Sequence, residues 1–395
     1  MQYHGLGHLD HAPRRARGQR PEARTKTHSA GTISRDDFGL KCPPAPSPAS
    51  GLGPRTSLLR WERYSNYHLL RMRIRDLGLT IDGTWLQGCV EKLYAELDER
   101  LLRFKPHVWL SDDWFSPANI PGFAIPFYLA HPRLRRLEHD QFLDVEGASR
   151  AECMRIMRHE AGHAVQHAYQ LQRRRRWQEL FGKSSTRYPE YYRPNPASKR
   201  YVQHLRLWYA QSHPDEDFAE TFAVWLRSRS DWRRKYVGWQ ALRKLEYVDE
   251  LMADVGWRKP VITTRRVIEP ARTINKTLAE HYAGRRRKYT VKFPNTYDAD
   301  LRRLFSEEKR HRHNEAAALF LRRNKGEIRR LVSRWTGEYQ YTLEVVLNDM
   351  IGRCRDLRLR VGSPERELLM NFAVLLTVKT MHFLYSQGLR DWIAL

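Results

Sequence analysis

The stretch HEAGH, residues 159–163, places two histidines four positions apart, with a glutamate directly after the first. On an α-helix, residues four apart lie on one face, so the imidazoles of His159 and His163 can bind the same zinc ion. Glu160 is offset from that pair and stands where a general base is needed, beside a water molecule that the metal activates. Short motifs of this kind also occur by chance. Here, however, the spacing of the surrounding apolar residues predicts a helix over 148–172.

A third histidine, His167, continues the four-residue spacing. On a continuous helix it lies about 12 Å along the axis from His159. Zn–N bonds of about 2.0–2.1 Å cannot bridge that span, so we exclude His167 as a ligand. A longer HExxHxxGxxH site would need glycine and histidine where Gln166 and Tyr169 stand. We therefore expect His167 on a helix face or behind the ligands.

The segment SHPDEDFAETFAVWL, residues 212–226, is the best source of a third ligand. A capping residue, a proline and three acids at its start predict a helix over 214–230. Glu216 and Glu220 lie four apart on one face of that helix. A plainer interpretation is that the acids only complement the helix dipole. That interpretation explains Asp215 and Asp217 well. It explains Glu216, which shares a helix face with Glu220, less well.

Taken together, the two motifs resemble zincins whose third ligand is a glutamate, and above all a bacterial family of zinc-binding metallopeptidases. The resemblance runs from about Trp61 to Trp257 and includes PGFAIPFYLAH, RHEAGHA and WYAQSHPDEDFAETFA. It implies one catalytic Zn²⁺ ion held by His159, His163 and Glu216, and a protein or peptide substrate.

A more distant similarity is to the catalytic domain of anthrax lethal factor. In that domain the first glutamate of the corresponding helix binds zinc, and a tyrosine seven residues earlier donates a hydrogen bond to the transition state. The corresponding residues here are Glu216 and Tyr209, although Tyr209 could instead be a core residue. We expect Glu220 to hydrogen-bond a ligand histidine. The predicted function is peptide-bond hydrolysis by zinc-activated water, with Glu160 as the general base.

The elements around these motifs predict a mostly helical α+β fold, with a zincin-like catalytic domain that contains a small sheet. Apolar spacing predicts helices over 84–104, 198–211 and 238–255, besides the two that carry the motifs. Strands are predicted over 107–115 and 122–131. Pro126 suggests that the second is an edge strand, to which an extended substrate could be added.

We divide the chain into four parts. Residues 1–53 are rich in Gly, Pro, Ser, Arg and His and predict a disordered basic extension. Residues 54–262 form the catalytic domain, and 263–297 a basic linker or arm. Residues 298–395 then predict a basic, all-helical C-terminal unit.

The formal net charge of +25 is spread over the chain and is densest in its last third. Such a surface could attract nucleic acid or another polyanion, with RRRR (173–176) and RRRK (285–288) as contacts. The alternative is that these runs are solvated helix faces or loops. Three other functions therefore stay open: a nucleic-acid-associated protease, a non-catalytic zinc-dependent binding module, and a nucleic-acid-binding protein with an incidental HExxH motif.

The four cysteines form no CxxC pair, which argues against a thiolate zinc site and against a disulfide framework. The N-terminus has no apolar core typical of a secretory signal. The longest apolar run, 368–385, is interrupted by polar residues and predicts a buried amphipathic helix without a membrane span. We therefore expect a cytoplasmic protein.

Overall fold

The protein is described by a computed structural model over residues 60–189, 191–192, 194–289, 297–386 and 393–394. The predicted extension 1–53 and Cys42 lie outside the described residues. The α-helices are α1 (Asn66–Leu70), α2 (Trp85–Glu99), α3 (Pro132–Phe142), α4 (Arg150–Tyr169), α5 (Arg175–Phe181), α6 (Pro214–Leu226), α7 (Trp232–Lys235), α8 (Ala241–Val255), α9 (Leu278–Tyr289), α10 (Asp298–Leu304), α11 (Ala317–Thr336), α12 (Gln340–Asp356) and α13 (Glu365–Ser386). The strands are β1 (His107–Ser111), β2 (Gly122–Pro126), β3 (Tyr191–Tyr192) and β4 (Ile393–Ala394). The predicted class, α+β and mostly helical with a small sheet, is confirmed.

The small sheet differs from the sequence prediction. Strand β1 pairs with β2 in parallel, with His107 opposite Gly122. All five residues of β2 are buried, and residues Phe127–Ala130 form a 3-10 helix in place of further strand. On the side of β2 that faces away from β1, Ala124 N–H donates a hydrogen bond to Phe115 O at 2.8 Å. Strand β2 is an edge of this two-stranded sheet, as Pro126 suggested, but it ends at Pro126 and not at residue 131, and its burial argues against the addition of an extended substrate there.

Helices α4 and α6, which carry the two motifs, pack against each other and form the centre of the part that precedes the C-terminal helices. Helix α4 is capped by Ser149, whose hydroxyl accepts from Glu152 N–H. Helix α6 begins after His213, whose ring accepts from Asp215 N–H. The two helices touch at Gly162, where a Cβ atom would lie only 2.9 Å from Ala219 Cα. No side chain larger than hydrogen fits this contact without moving one backbone away from the other.

Two buried ion pairs connect neighbouring helices to this centre. The Arg158 guanidinium of α4 donates two hydrogen bonds, of 2.6 and 2.7 Å, to the carboxylate of Glu96 on α2. On the other side, Lys244 of α8 donates to Asp217 of α6 at 2.5 Å. Removing one partner of such a pair leaves a buried charge uncompensated, which typically costs about 3–5 kcal/mol. The pairs therefore hold α2 and α8 against the two central helices.

The predicted helix over 198–211 is not present. Only a short 3-10 helix, Arg206–Gln211, forms there, and within it Leu207 and Trp208 adopt left-handed backbone angles, with φ of 58° and 55°. Just before it, Leu205 N–H donates to the Glu220 carboxylate at 2.8 Å. This tertiary hydrogen bond takes a donor that a helix would use, so the apolar spacing of the segment does not lead to an α-helix.

Residues from the predicted linker lie against the sheet. The side chains of β1 reach backbone carbonyls of this segment: His107 contacts Arg266 O, Trp109 donates to Ile268 O and Ser111 donates to Glu269 O. Further on, the segment forms α9. The described part of 263–297 therefore covers one side of β1.

The C-terminal helices α10 to α13 share a hydrophobic core of their own, which includes Leu301, Phe320, Leu347 and Phe372. Helix α13 contains the apolar run 368–385, and it buries Leu368, Phe372 and Leu376 in this core. Among the helices of the described residues, none is both long enough and apolar enough to cross a bilayer.

The arginine runs are largely engaged with the protein's own side chains. Of the four arginines at 173–176, three form ion pairs: Arg174 with Asp254, Arg175 with Glu179 and Arg176 with Glu250. In the second run, Arg285 pairs with Glu138 and Arg286 donates to Gln141. No observation on the described residues supports nucleic-acid binding.

Replacement of Gly162 by alanine should destabilise the protein by about 1–3 kcal/mol, because the added methyl group forces two helix backbones apart. The matched control is Gly352→Ala in α12, where an added Cβ meets nothing within 4 Å. That control should stabilise the protein by about 0.4–1 kcal/mol. Urea unfolding of both variants measures the difference. Equal effects of the two substitutions would contradict the close helix contact.

Candidate metal centre

Three side chains from α4 and α6 bring one donor atom each to a common point. His159 Nε2 and His163 Nε2 are 3.1 Å apart. Glu216 Oε2 lies 3.0 Å from His159 Nε2 and 3.2 Å from His163 Nε2. The three residues form a group that could hold a metal ion. The helical spacing of the histidines supplies two of these donors, and the contact between α4 and α6 supplies the third.

The separations match those that a tetrahedral zinc ion imposes. Zinc binds nitrogen at about 2.0–2.1 Å and carboxylate oxygen at about 2.0–2.2 Å, so two of its ligands lie about 3.4 Å apart. The three observed distances, 3.0 to 3.2 Å, are each slightly shorter. A small outward movement of the side chains would admit the ion. Two imidazoles and one carboxylate also form a donor set that suits zinc.

Glu160 follows His159 on α4 and is buried in the same region. Its Oε2 atom accepts no hydrogen bond from the residues that the structure describes. Burial is the largest influence on this carboxyl, and it raises the pKa of Glu160 to about 7. A buried carboxylate without a donor is costly unless a ligand or a proton satisfies it. Glu160 is thus available to a water molecule or substrate beside the three donors.

Glu220 contacts His159 on the side of the ring opposite the metal-binding nitrogen. Its Oε1 atom lies 2.9 Å from His159 Nδ1, and its Oε2 atom accepts the Leu205 N–H at 2.8 Å. The hydrogen bond at Nδ1 fixes that nitrogen as the protonated one, which leaves Nε2 for a metal. Burial opposes a positive charge on His159, but its hydrogen bonds to Glu216 and Glu220 outweigh this effect and raise its pKa to about 10. The carboxylates that attract a proton to this ring would also attract a cation.

The three acids at the start of α6 have different partners. Asp215 accepts from Gln166 Nε2 at 2.7 Å and from Ser184 Oγ at 2.9 Å. Asp217 accepts from Lys244 on the other side of the helix. Of the three acids, Glu216 alone belongs to the described metal-binding group. Each of the three acids thus has a specific partner. The interpretation that they only complement the helix dipole is incomplete for all three.

Tyr209 lies beside the ligands and is almost completely buried. The centre of its ring is 5.7 Å from that of His159. Burial and the charge of Glu216 raise the pKa of Tyr209 well above its usual value, so the hydroxyl remains a proton donor. The left-handed residues Leu207 and Trp208 turn the backbone directly before it. The residue thus lies in the core and close to the site at the same time.

Tyr188 also reaches the ligands, and the sequence reasoning missed it. Its hydroxyl donates to Glu216 Oε1 at 2.8 Å. The residue lies in an irregular segment after α5, where no period or motif marks it. The contact between Tyr188 and Glu216 depends on the path of the chain after α5, and this path cannot be predicted from the local sequence.

His167 lies at the last turn of α4 and does not belong to the metal-binding group. The three candidate ligands and Glu160 are closed off from solvent: His159 and Glu216 are 0% exposed, Glu160 is 1% exposed and His163 is 4% exposed.

Comparison with known families gives a match over part of the chain. Residues 152–247 match the model of a family described as "Putative zinc-binding metallo-peptidase". The match includes HEAGH and α6 but is shorter than the stretch from 61 to 257 over which the motifs suggest a resemblance. No curated protein and no solved structure gives a significant match. The likeness to anthrax lethal factor therefore stays a prediction. Over residues 152–247, the chain is similar to this metallopeptidase family, as its two motifs predicted.

Proposed function

We propose that the protein is a zinc-dependent metallopeptidase that hydrolyses peptide bonds in a protein or peptide substrate. His159, His163 and Glu216 would hold one zinc ion. The observation that carries the proposal is the mutual approach of their three donor atoms to 3.0–3.2 Å, beside Glu160, whose Oε2 atom accepts no hydrogen bond from the described residues. Three protein ligands leave a fourth position open, which is typical of catalytic zinc and not of structural zinc.

The residues around the site divide the chemistry between them. When bound, the metal supplies Lewis-acid chemistry, which polarises the peptide carbonyl and lowers the pKa of water toward about 7. Glu160 takes the proton from the attacking water and later delivers it to the leaving amine. Tyr209 donates a hydrogen bond to the developing oxyanion. Glu220 orients His159 so that Nε2 faces the metal.

A non-catalytic zinc-dependent binding module is the second candidate, and the burial of the ligands favours it. Structural zinc sites are closed, whereas a peptidase must admit a substrate. Glu160 favours catalysis, because its Oε2 atom has no hydrogen-bond partner among the described residues. In a structural zinc site, a fourth protein ligand would be expected on that side of the metal. We also propose a cytoplasmic location, which the free thiols of Cys89, Cys153 and Cys354 support, since they fit a reducing compartment.

Replacement of Glu160 by glutamine should lower peptide hydrolysis by about 10²–10⁴-fold and leave the zinc content unchanged. The amide keeps the size of the side chain but cannot accept the proton. Glu246→Gln, at an exposed position of α8, is the control and should keep full activity. Cleavage of a peptide library, with metal analysis of each protein, gives both values. Hydrolysis by Glu160→Gln at the wild-type rate would exclude the general base, and the absence of hydrolysis by the wild type would favour the binding module.

Replacement of Glu216 by alanine should strongly lower the zinc bound per chain, because one of three protein ligands is lost. His167→Ala is the matched control, since it removes an imidazole from α4 that lies outside the group, and it should keep one zinc per chain. Metal analysis after dialysis distinguishes the two variants. The ligand set is wrong if the His167 variant loses zinc and the Glu216 variant keeps it.

Replacement of Tyr209 by phenylalanine should lower kcat by about 10²–10³-fold with the zinc content unchanged, as for loss of an oxyanion donor. The ring remains, so its packing in the core should persist. Steady-state kinetics on a peptide substrate measures the effect. An unchanged kcat would assign Tyr209 to the core alone.

A further inference from the structure

Residues 182–188 connect α5 to β3 and pass over the start of α6; we call them the strap. The strap begins at Gly182, which has a φ of 112° and lies against Pro214. Three hydrogen bonds fasten the strap to the residues at the start of α6: Ser184 Oγ to Asp215 Oδ2 at 2.9 Å, His213 Nε2 to Thr186 O at 2.8 Å, and Tyr188 Oη to Glu216 Oε1 at 2.8 Å.

The third of these bonds gives the two oxygens of Glu216 different partners. Oε1 accepts from the Tyr188 hydroxyl at 2.8 Å. Oε2 lies 3.0 Å from His159 Nε2 and 3.2 Å from His163 Nε2. A carboxylate can bind a metal through one oxygen or through both. With Oε1 occupied by a hydroxyl donor, only Oε2 is directed at the metal position.

The ring of Tyr188 is fixed independently of its hydroxyl. It stacks on His213, with ring centres 3.6 Å apart and planes at 14°. His213 in turn caps α6 through its own ring nitrogen. Tyr188 is therefore held against the helix that carries its hydrogen-bond partner. A phenylalanine at this position would keep the stack and lose only the hydroxyl.

We propose that Tyr188 is a positioning residue for the metal ligand Glu216: it holds Oε1, and so presents Oε2 alone to the ion. The inference rests on the proposed function, because it takes Glu216 as a ligand. Hydrogen-bonding partners of metal ligands typically contribute 10–100-fold to metal affinity. The same bond ties the strap to the metal site, since the strap cannot lift without breaking its hydrogen bond to Oε1 of Glu216.

The test is the zinc affinity of Tyr188→Phe, measured by competition with a chromophoric chelator. The variant should bind zinc about 10–100-fold more weakly than the wild type. Tyr94→Phe is the matched control, because Tyr94 also donates through its hydroxyl, to Pro106 O at 2.7 Å, but has no contact with the ligands. That control should bind zinc as the wild type does. Wild-type affinity in Tyr188→Phe would overturn the proposal.

A double substitution separates positioning from an effect on the fold. In the Glu216→Ala background, Tyr188→Phe should cause no further loss of zinc affinity, because there is no carboxylate left to position. An additional loss of the same size would overturn the proposal. Cobalt gives a second readout, since its visible absorption weakens when its coordination number rises. The Co²⁺ form of Tyr188→Phe should absorb more weakly than that of the wild type, because Oε1 of Glu216 is then free to bind the ion as well. An unchanged spectrum would overturn the claim that Tyr188 keeps Oε1 from the ion.

The two hypotheses fail in different ways. If Glu216→Ala binds zinc as tightly as the wild type, the ligand set of the proposed function is wrong, and the role of Tyr188 falls with it. If Glu216→Ala loses zinc while Tyr188→Phe keeps wild-type affinity, the ligand set stands and only the positioning role is overturned.

Discussion

The contact between the backbones of α4 and α6 is the constraint on which the rest of the site depends. Gly162 lies against Ala219 so closely that a Cβ atom would be only 2.9 Å from Ala219 Cα. This approach brings a carboxylate of α6 within 3.0–3.2 Å of two imidazole nitrogens of α4. The glycine of HEAGH thus acts through helix packing, while the histidines on either side of it carry the chemistry.

A second constraint follows from burying so many ionisable groups together. Buried charges need partners, and the carboxylates of α6 each have specific ones. Glu220 is satisfied by a ring nitrogen and a backbone N–H, and Glu216 by the strap on one oxygen and the histidines on the other. Glu216 and Glu220 favour a positive charge on the His159 ring, whose pKa they raise to about 10. A divalent cation bound where the three donor atoms meet would take the place of that proton.

Prediction from sequence succeeded where the information is local. Residues four apart on one helix face can be read directly from the chain, so His159 and His163 could be paired, and the face shared by Glu216 and Glu220 could be recognised. Failure occurred where tertiary contacts decide the backbone. The Glu220 carboxylate takes the Leu205 N–H, and the predicted helix over 198–211 does not form. The approach of Tyr188 likewise depends on the path of the strap, which no periodicity marks.

The central claim is that one metal ion joins α4 to α6. Anomalous diffraction at the zinc absorption edge, from crystals of the zinc-loaded protein, tests it most directly. The account predicts a single strong peak about 2.0–2.2 Å from His159 Nε2, His163 Nε2 and Glu216 Oε2. A crystal grown with zinc that shows no peak between these atoms, or a peak held by other side chains such as His167, would contradict it.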